Sequence, residues 1–83
     1  MPRNINKAVA LRVSKLLDEK GMTKYRLEKI TGLSHSTFTR IFNEINNYIM
    51  MSTILRIISA LDMTVQEFFD DELFYIENLE YEF

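Results

Sequence analysis

At three points between the apolar stripes of this chain, an apolar residue stands directly before a Thr or Ser, with a second apolar residue five positions after the first. The three are Met22-Thr23 with Leu27, Leu33-Ser34 with Phe38, and Met63-Thr64 with Phe68. A hydroxyl at a helix N-cap accepts from amides that the first turn leaves without partners, and apolar residues on either side of that turn close over it as a hydrophobic staple. Each occurrence therefore marks a helix start. The third is reinforced by Glu67, which completes a capping box with Thr64. Gly21 and Gly32 stand where the preceding helices must stop, and glycine takes the left-handed stop conformation cheaply. The chain is thereby cut into short helices.

Hydrophobic spacing fills in the rest. Ile5, Val9, Val13, Leu16 and Leu17 form one stripe of a 3.6-residue period and predict a first helix over 6–20. The second spans Lys24–Thr31 with Leu27 and Ile30 inward. The third runs from His35 to about Glu44 with Phe38, Ile41 and Phe42 inward. A fourth, over 51–61, carries Ile54, Ile57, Ile58 and Leu61, and the fifth ends near Asp70 or Asp71. Two Gly and one Pro among 83 residues leave little turn chemistry for many short strands. The tail reads two ways: Leu79–Phe83 alternates with the period of a strand, whereas Leu73, Ile76 and Glu80 suit a helix, and the extended reading is preferred. Met22, Met50, Met51 and Met63 read as gap-filling core. The expected fold is all-α, a five-helix domain over 1–71 followed by an acidic, aromatic tail over 72–83.

The whole-chain charge of −2 argues against a polyanionic partner, but its distribution does not. Residues 1–44 hold nine Lys/Arg against four Asp/Glu, and residues 45–83 hold one against eight. Local potential, not the sum, steers a polyanion. With no Cys and His35 as the single histidine, the chain offers no thiolate or multi-histidine metal site and no nucleophile–base pair. Neither an enzyme, a metal nor a cofactor is expected. The segment after Met1 lacks the apolar stretch of a secretory signal. The longest apolar run, Tyr48–Met51, is far short of the roughly 18 residues a membrane span needs. A cytoplasmic location without membrane association is the expectation, and the lack of Cys suits a reducing compartment.

Two short helices joined only by Gly32-Leu33-Ser34 must meet at a sharp angle. That is the helix-turn-helix arrangement, whose second helix enters the DNA major groove. At about 100° per residue, the outward arc of the third helix carries Ser36, Thr39, Arg40 and Asn43, with His35 at its tip. This arc holds no acid and no large apolar group, as a surface must if it is to approach phosphates and base edges.

Thr23-Lys-Tyr-Arg-Leu27, Gly32-Leu-Ser34, Phe38-Thr-Arg-Ile41 and Thr53-Ile-x-x-Ile57-x-x-Ala60-Leu61 together resemble the lambda-repressor/Cro-like (XRE) helix-turn-helix family over about residues 5–70. The resemblance implies a five-helix domain that binds double-stranded operator DNA as a two-fold homodimer, a transcriptional regulator of the repressor kind. Carried over position by position, it implies base contacts from His35, Ser36, Thr37 and Arg40, with Thr39 on the same arc. It implies phosphate contacts from Thr23, Lys24 and Asn43, and from Asn46 and Asn47 in the loop that follows. Arg40 suits the paired acceptors of a guanine, or a phosphate, and the base role is preferred. Arg3 either reaches the DNA from an N-terminal arm or belongs to an unstructured terminus, and the latter is preferred.

Two departures from the family pattern bear on these roles. Lys24 replaces the frequent Gln and suits a point-charge phosphate contact rather than a base contact. Tyr48-Ile-Met-Met51 stands where Pro-Ser often opens the fourth helix, so Tyr48-Ile49-Met50 is core or a dimer contact, with core preferred. The tail, with Phe74, Tyr75, Ile76, Leu79, Tyr81 and Phe83 among six acids from Asp70 to Glu82, is a candidate dimer or partner element. The alternative function is a protein-binding module, as an antitoxin engages a toxin.

Overall fold

Asn4 starts the first helix: its side chain accepts from the Lys7 amide at 2.8 Å. The helix therefore begins at Ile5, one residue ahead of the start that the apolar stripe predicts. The computed structural model describes residues 4–43 and 49–79. In it, α1 (Ile5–Lys20), α2 (Lys24–Thr31), α3 (His35–Asn43), α4 (Met51–Ala60) and α5 (Val65–Phe69) are followed by two 3-10 turns, Glu72–Phe74 and Ile76–Asn78. Among the described residues no helix is long and apolar enough to cross a membrane.

The three expected starts are present. Thr23 Oγ1 accepts from the Arg26 amide at 3.1 Å, Ser34 Oγ from the Thr37 amide at 3.2 Å, and Thr64 Oγ1 from the Glu67 amide at 3.1 Å. Glu67 returns the favour, accepting from the Thr64 amide at 2.9 Å to close the capping box. Gly21 (φ 63°) and Gly32 (φ 70°) end α1 and α2 in the left-handed region. The end of α4 is different: Asp62 adopts φ 57° without being glycine, and the Met63 amide folds back to Ile58 O at 3.3 Å.

Val9, Val13, Leu16 and Leu17 from α1 meet Leu27 of α2, Phe38 and Ile41 of α3, Ile54, Ile57 and Ile58 of α4, Leu61 and Phe68 in one core. Burying each such large side chain contributes about 1.5–3 kcal/mol, which is what holds helices this short. Within this core α1 lies against α3, α2 against α4, and α4 against α5. The stripes run past the core at their ends. Ile5 in the first turn of α1 and Ile30 in the last turn of α2 are about half exposed, so neither faces inward as the periodicity predicts. Met50 and Met51, at the entry to α4, also point to solvent, whereas Met22 and Met63 pack on the core. Ile49 packs inward, so the apolar run before α4 is split between core and surface, and Tyr48 lies outside the described residues.

The tail departs from the extended reading over 72–78. Asp71 Oδ1 accepts from the Leu73 amide at 3.0 Å, which starts the first 3-10 turn. Phe74 then packs edge-on against Phe69, ring centres 4.8 Å apart, and near Phe68 at 6.1 Å. Tyr75, between the two turns, and Leu79, after them, are extended, and 80–83 lie outside the described residues.

What pins this corner is Arg12. Its side chain, 9% exposed, donates from Nε to Phe68 O at 2.7 Å, from one terminal nitrogen to Glu67 O at 2.9 Å, and from the other to Asp71 Oδ2 at 3.2 Å. The guanidinium thus satisfies Phe68 O, which the end of α5 leaves open, and adds to the Asp70 amide on Glu67 O. Lys15 reaches the same Asp71 oxygen at 2.9 Å. The Lys15 hydrogen bond, the Leu73 amide and the two cations hold the Asp71 carboxyl below its ordinary range, and Asp71 in turn holds Lys15 above its own.

Candidate nucleic-acid interface

The turn between α2 and α3 is braced by its own residues. Glu28 O accepts from the Gly32 amide and from Thr31 Oγ1, both at 3.1 Å, and Thr31 Oγ1 accepts from the Leu33 amide at 3.3 Å. With Leu33 seated against the core and Ser34 capping the next helix, α3 leaves the turn in a fixed direction. Phe38 and Ile41 are buried, and Phe42 stacks on Phe38 with ring centres 6.1 Å apart. Burial of that face turns the other outward.

The arc that the wheel assigns to solvent stands clear. Ser36, Arg40 and Asn43 are exposed, as is His35, and Thr37 and Thr39 are partly covered. Arg40 meets no carboxylate among the described residues and lines a cavity of about 180 Å³ with Thr37, Asn6, Ile49 and Thr53. Ser34 Oγ lies 3.0 Å from Ser36 Oγ and 2.9 Å from Thr37 Oγ1. Ser34 Oγ, which also accepts from the Thr37 amide, has its one donor and two acceptor sites engaged, whereas the Ser36 and Thr37 hydroxyls keep capacity for an outside partner. Thr23 spends an acceptor site on its cap. Asn46, Asn47 and Arg3 lie outside the described residues.

A groove of about 190 Å³ separates α2 from the outer side of α3, and Lys24, His35, Thr39 and Asn43 all line it. The Lys24 ammonium sits 4.2 Å over the Phe42 ring, so an aromatic face holds it at the groove. Phe42 is only half inside, and its outer face has this second use. The sequence reading missed one residue here. The outward arc has no acid of its own, but α2 supplies one: Glu28 Oε2 lies 3.2 Å from His35 Nδ1. The signal was present in the spacing, since Glu28 follows Lys24 by four residues and shares its helix face.

The basic half of the chain divides in two. Arg12 and Lys15 are committed to Asp71 and the end of α5. Lys24, Arg26, Lys29 and Arg40 are exposed on α2 and α3, with Lys29 leaning toward the Tyr25 ring at 5.2 Å. Four exposed cations thus lie on the two helices that flank the turn, beside Lys7 and Lys20 on α1 and Arg56 on α4.

A family model described as a Cro/C1-type HTH DNA-binding domain matches residues 12–73, from the buried Arg12 to the first 3-10 turn. Comparison with curated proteins and with solved structures gives no match.

Proposed function

Because the chain belongs to the Cro/C1-type helix-turn-helix DNA-binding domain family, we propose that it is a transcriptional repressor that reads duplex DNA with the outward face of α3 as a two-fold dimer. The observation that carries this is the exposure of Ser36, Arg40 and Asn43 on the side of α3 opposite Phe38 and Ile41. Lys24, held over Phe42 at the groove, neutralises a phosphate, and Thr23 and Asn43 hydrogen-bond the same backbone. His35, Ser36, Thr37, Thr39 and Arg40 then meet base edges. Arg40 takes both major-groove acceptors of a guanine, a contact worth about 1–3 kcal/mol of discrimination.

One module of this size covers roughly 600–1,000 Å² of DNA, too little for tight selective binding alone. The domain measures 36 × 24 × 20 Å, so two copies fit side by side on half-sites about 34 Å apart. Tyr75 and Ile76 stay exposed while Phe74 packs inward, which favours the second 3-10 turn as a contact element. That element serves a second copy of this chain or, in the antitoxin-like reading, a basic partner protein.

Selection from random oligonucleotides, followed by a salt series, tests the reading. One enriched inverted repeat and a steep loss of affinity with salt are expected; weak binding indifferent to sequence rejects it. The contact element is tested by Tyr75→Ser with Ile76→Ser, which leaves Phe74 in the core. A solution mass equal to that of the unaltered chain rejects the second turn as the dimer contact.

A further inference from the structure

The Glu28–His35 pair is the one feature of the groove that phosphate binding does not explain. A carboxylate facing a duplex repels it, and an exposed Glu at this place would weaken binding. Yet Glu28 is held: its side chain is 22% exposed, its carbonyl is locked by the Gly32 amide and Thr31, and its carboxylate meets His35 Nδ1 at 3.2 Å. Lys24, which shares the groove and could have taken that carboxylate, is drawn instead over Phe42. The histidine ring, 83% exposed, stands at the first position of α3.

The chemistry of the pair fixes one atom. A carboxylate only accepts, so Nδ1 must carry the hydrogen whenever the contact is made. In the neutral ring Nε2 then has none, and the end of His35 farthest from Glu28 presents a lone pair. A lone pair in the major groove pairs with an amino group, which adenine and cytosine offer there and guanine and thymine do not. Resting on the DNA-reading function argued above, we propose that Glu28 is a positioning residue for base selection. It holds His35 with Nε2 as an acceptor, so that the tip of α3 prefers an amino-bearing base. Without Glu28 the ring is free to place its hydrogen on Nε2, and the preference is lost or turned toward guanine.

The test has two arms on the full chain. In the first, imidazole ¹⁵N shifts of the DNA-free protein are followed upward in pH until the ring is neutral. His35 is expected with hydrogen on Nδ1 in the unaltered chain and mainly on Nε2 in Glu28→Ala. Hydrogen on Nε2 in the unaltered chain, or no change on substitution, overturns the proposal. In the second arm both proteins select from random oligonucleotides. Adenine or cytosine is expected at one position of each half-site, and in Glu28→Ala that preference falls about tenfold, within the range a single base contact supports, while the other positions are kept. If a motif is enriched but this position does not respond to Glu28→Ala, this proposal fails and the DNA-reading function stands. If neither protein enriches any motif, the DNA-reading function itself fails and takes the proposal with it.

Discussion

Arg12→Met removes the guanidinium that ties α1 to the end of α5 while keeping an unbranched, apolar stem. Its three hydrogen bonds go to Phe68 O, Glu67 O and Asp71 Oδ2. Asp71 keeps Lys15 and the Leu73 amide, so its carboxylate is not orphaned. Glu67 O keeps the Asp70 amide, whereas Phe68 O loses its charged donor, and an unsatisfied buried polar group costs about 1–3 kcal/mol. A groove lined by Leu16, Lys20, Met63 and Glu67 runs beside Arg12 and lets water reach part of that site, which favours the lower end of that range. The expected loss is about 1–3 kcal/mol, a large share of the roughly 4–12 kcal/mol that 83 residues sustain. With a urea dependence of about 1–3 kcal/mol per molar, the midpoint of unfolding followed by helical circular dichroism falls by about 1 M. Asp71→Asn keeps an acceptor for Leu73 and should cost less. A change of under about 0.5 kcal/mol for Arg12→Met, within the spread of ordinary surface substitutions, or a larger loss for Asp71→Asn, refutes the reasoning.

Three further outcomes follow from the same contacts. Arg40→Ala relaxes preference at one base pair of each half-site, whereas Lys24→Ala weakens all sequences alike and lowers the salt slope by about 1; paired selections and salt titrations separate the two. The Asp71 carboxyl is held below its ordinary range, chiefly by Lys15, so its contribution is complete above the unfolded value of about 3.9 and is lost as pH falls through the folded one. The acid limb of a stability–pH curve is accordingly steeper for the unaltered chain than for Asp71→Asn, and coincident limbs contradict this. Asp62 sits at φ 57° with no glycine to relieve it, so Asp62→Gly raises stability by about 0.5–1 kcal/mol, read from the same urea midpoint.

The caps were legible in the sequence because they are local. A hydroxyl and the amide it accepts from are three residues apart, so Thr23, Ser34 and Thr64 announce their helices without knowledge of the fold. The stripes were legible in direction but not in extent. Periodicity says which side Ile5, Ile30, Met50 and Met51 lie on, but where the core ends depends on the partners packed across it. The tail was misread over 72–78 for a related reason. Its strand-like alternation belongs to 79–83, while the first turn is set by Asp71, whose own position depends on Arg12 fifty-nine residues earlier. At the interface, the outward arc of α3 could be read from its own residues. The spacing puts Glu28 on the Lys24 face of α2, but its meeting with His35 depends on how the turn sets α2 beside α3.

The same division resolves the contradiction between a net charge of −2 and a polyanionic partner. Counting cations by chain half overstates what DNA can use, since Arg12 and Lys15 are consumed in holding Asp71 and the end of α5. It also overstates the repulsion, because Asp71 is consumed in the same contact and fixes the start of the acidic segment against α1. The charges that remain on α2 and α3 act through a surface whose direction the core sets. On the proposed reading, stability and recognition draw on different arginines and lysines. Removing Arg12 should lower stability and leave the salt dependence of DNA binding by the still-folded fraction unchanged. Removing Lys24, which rests on one exposed ring face, should lower the salt dependence and leave the unfolding midpoint nearly where it was.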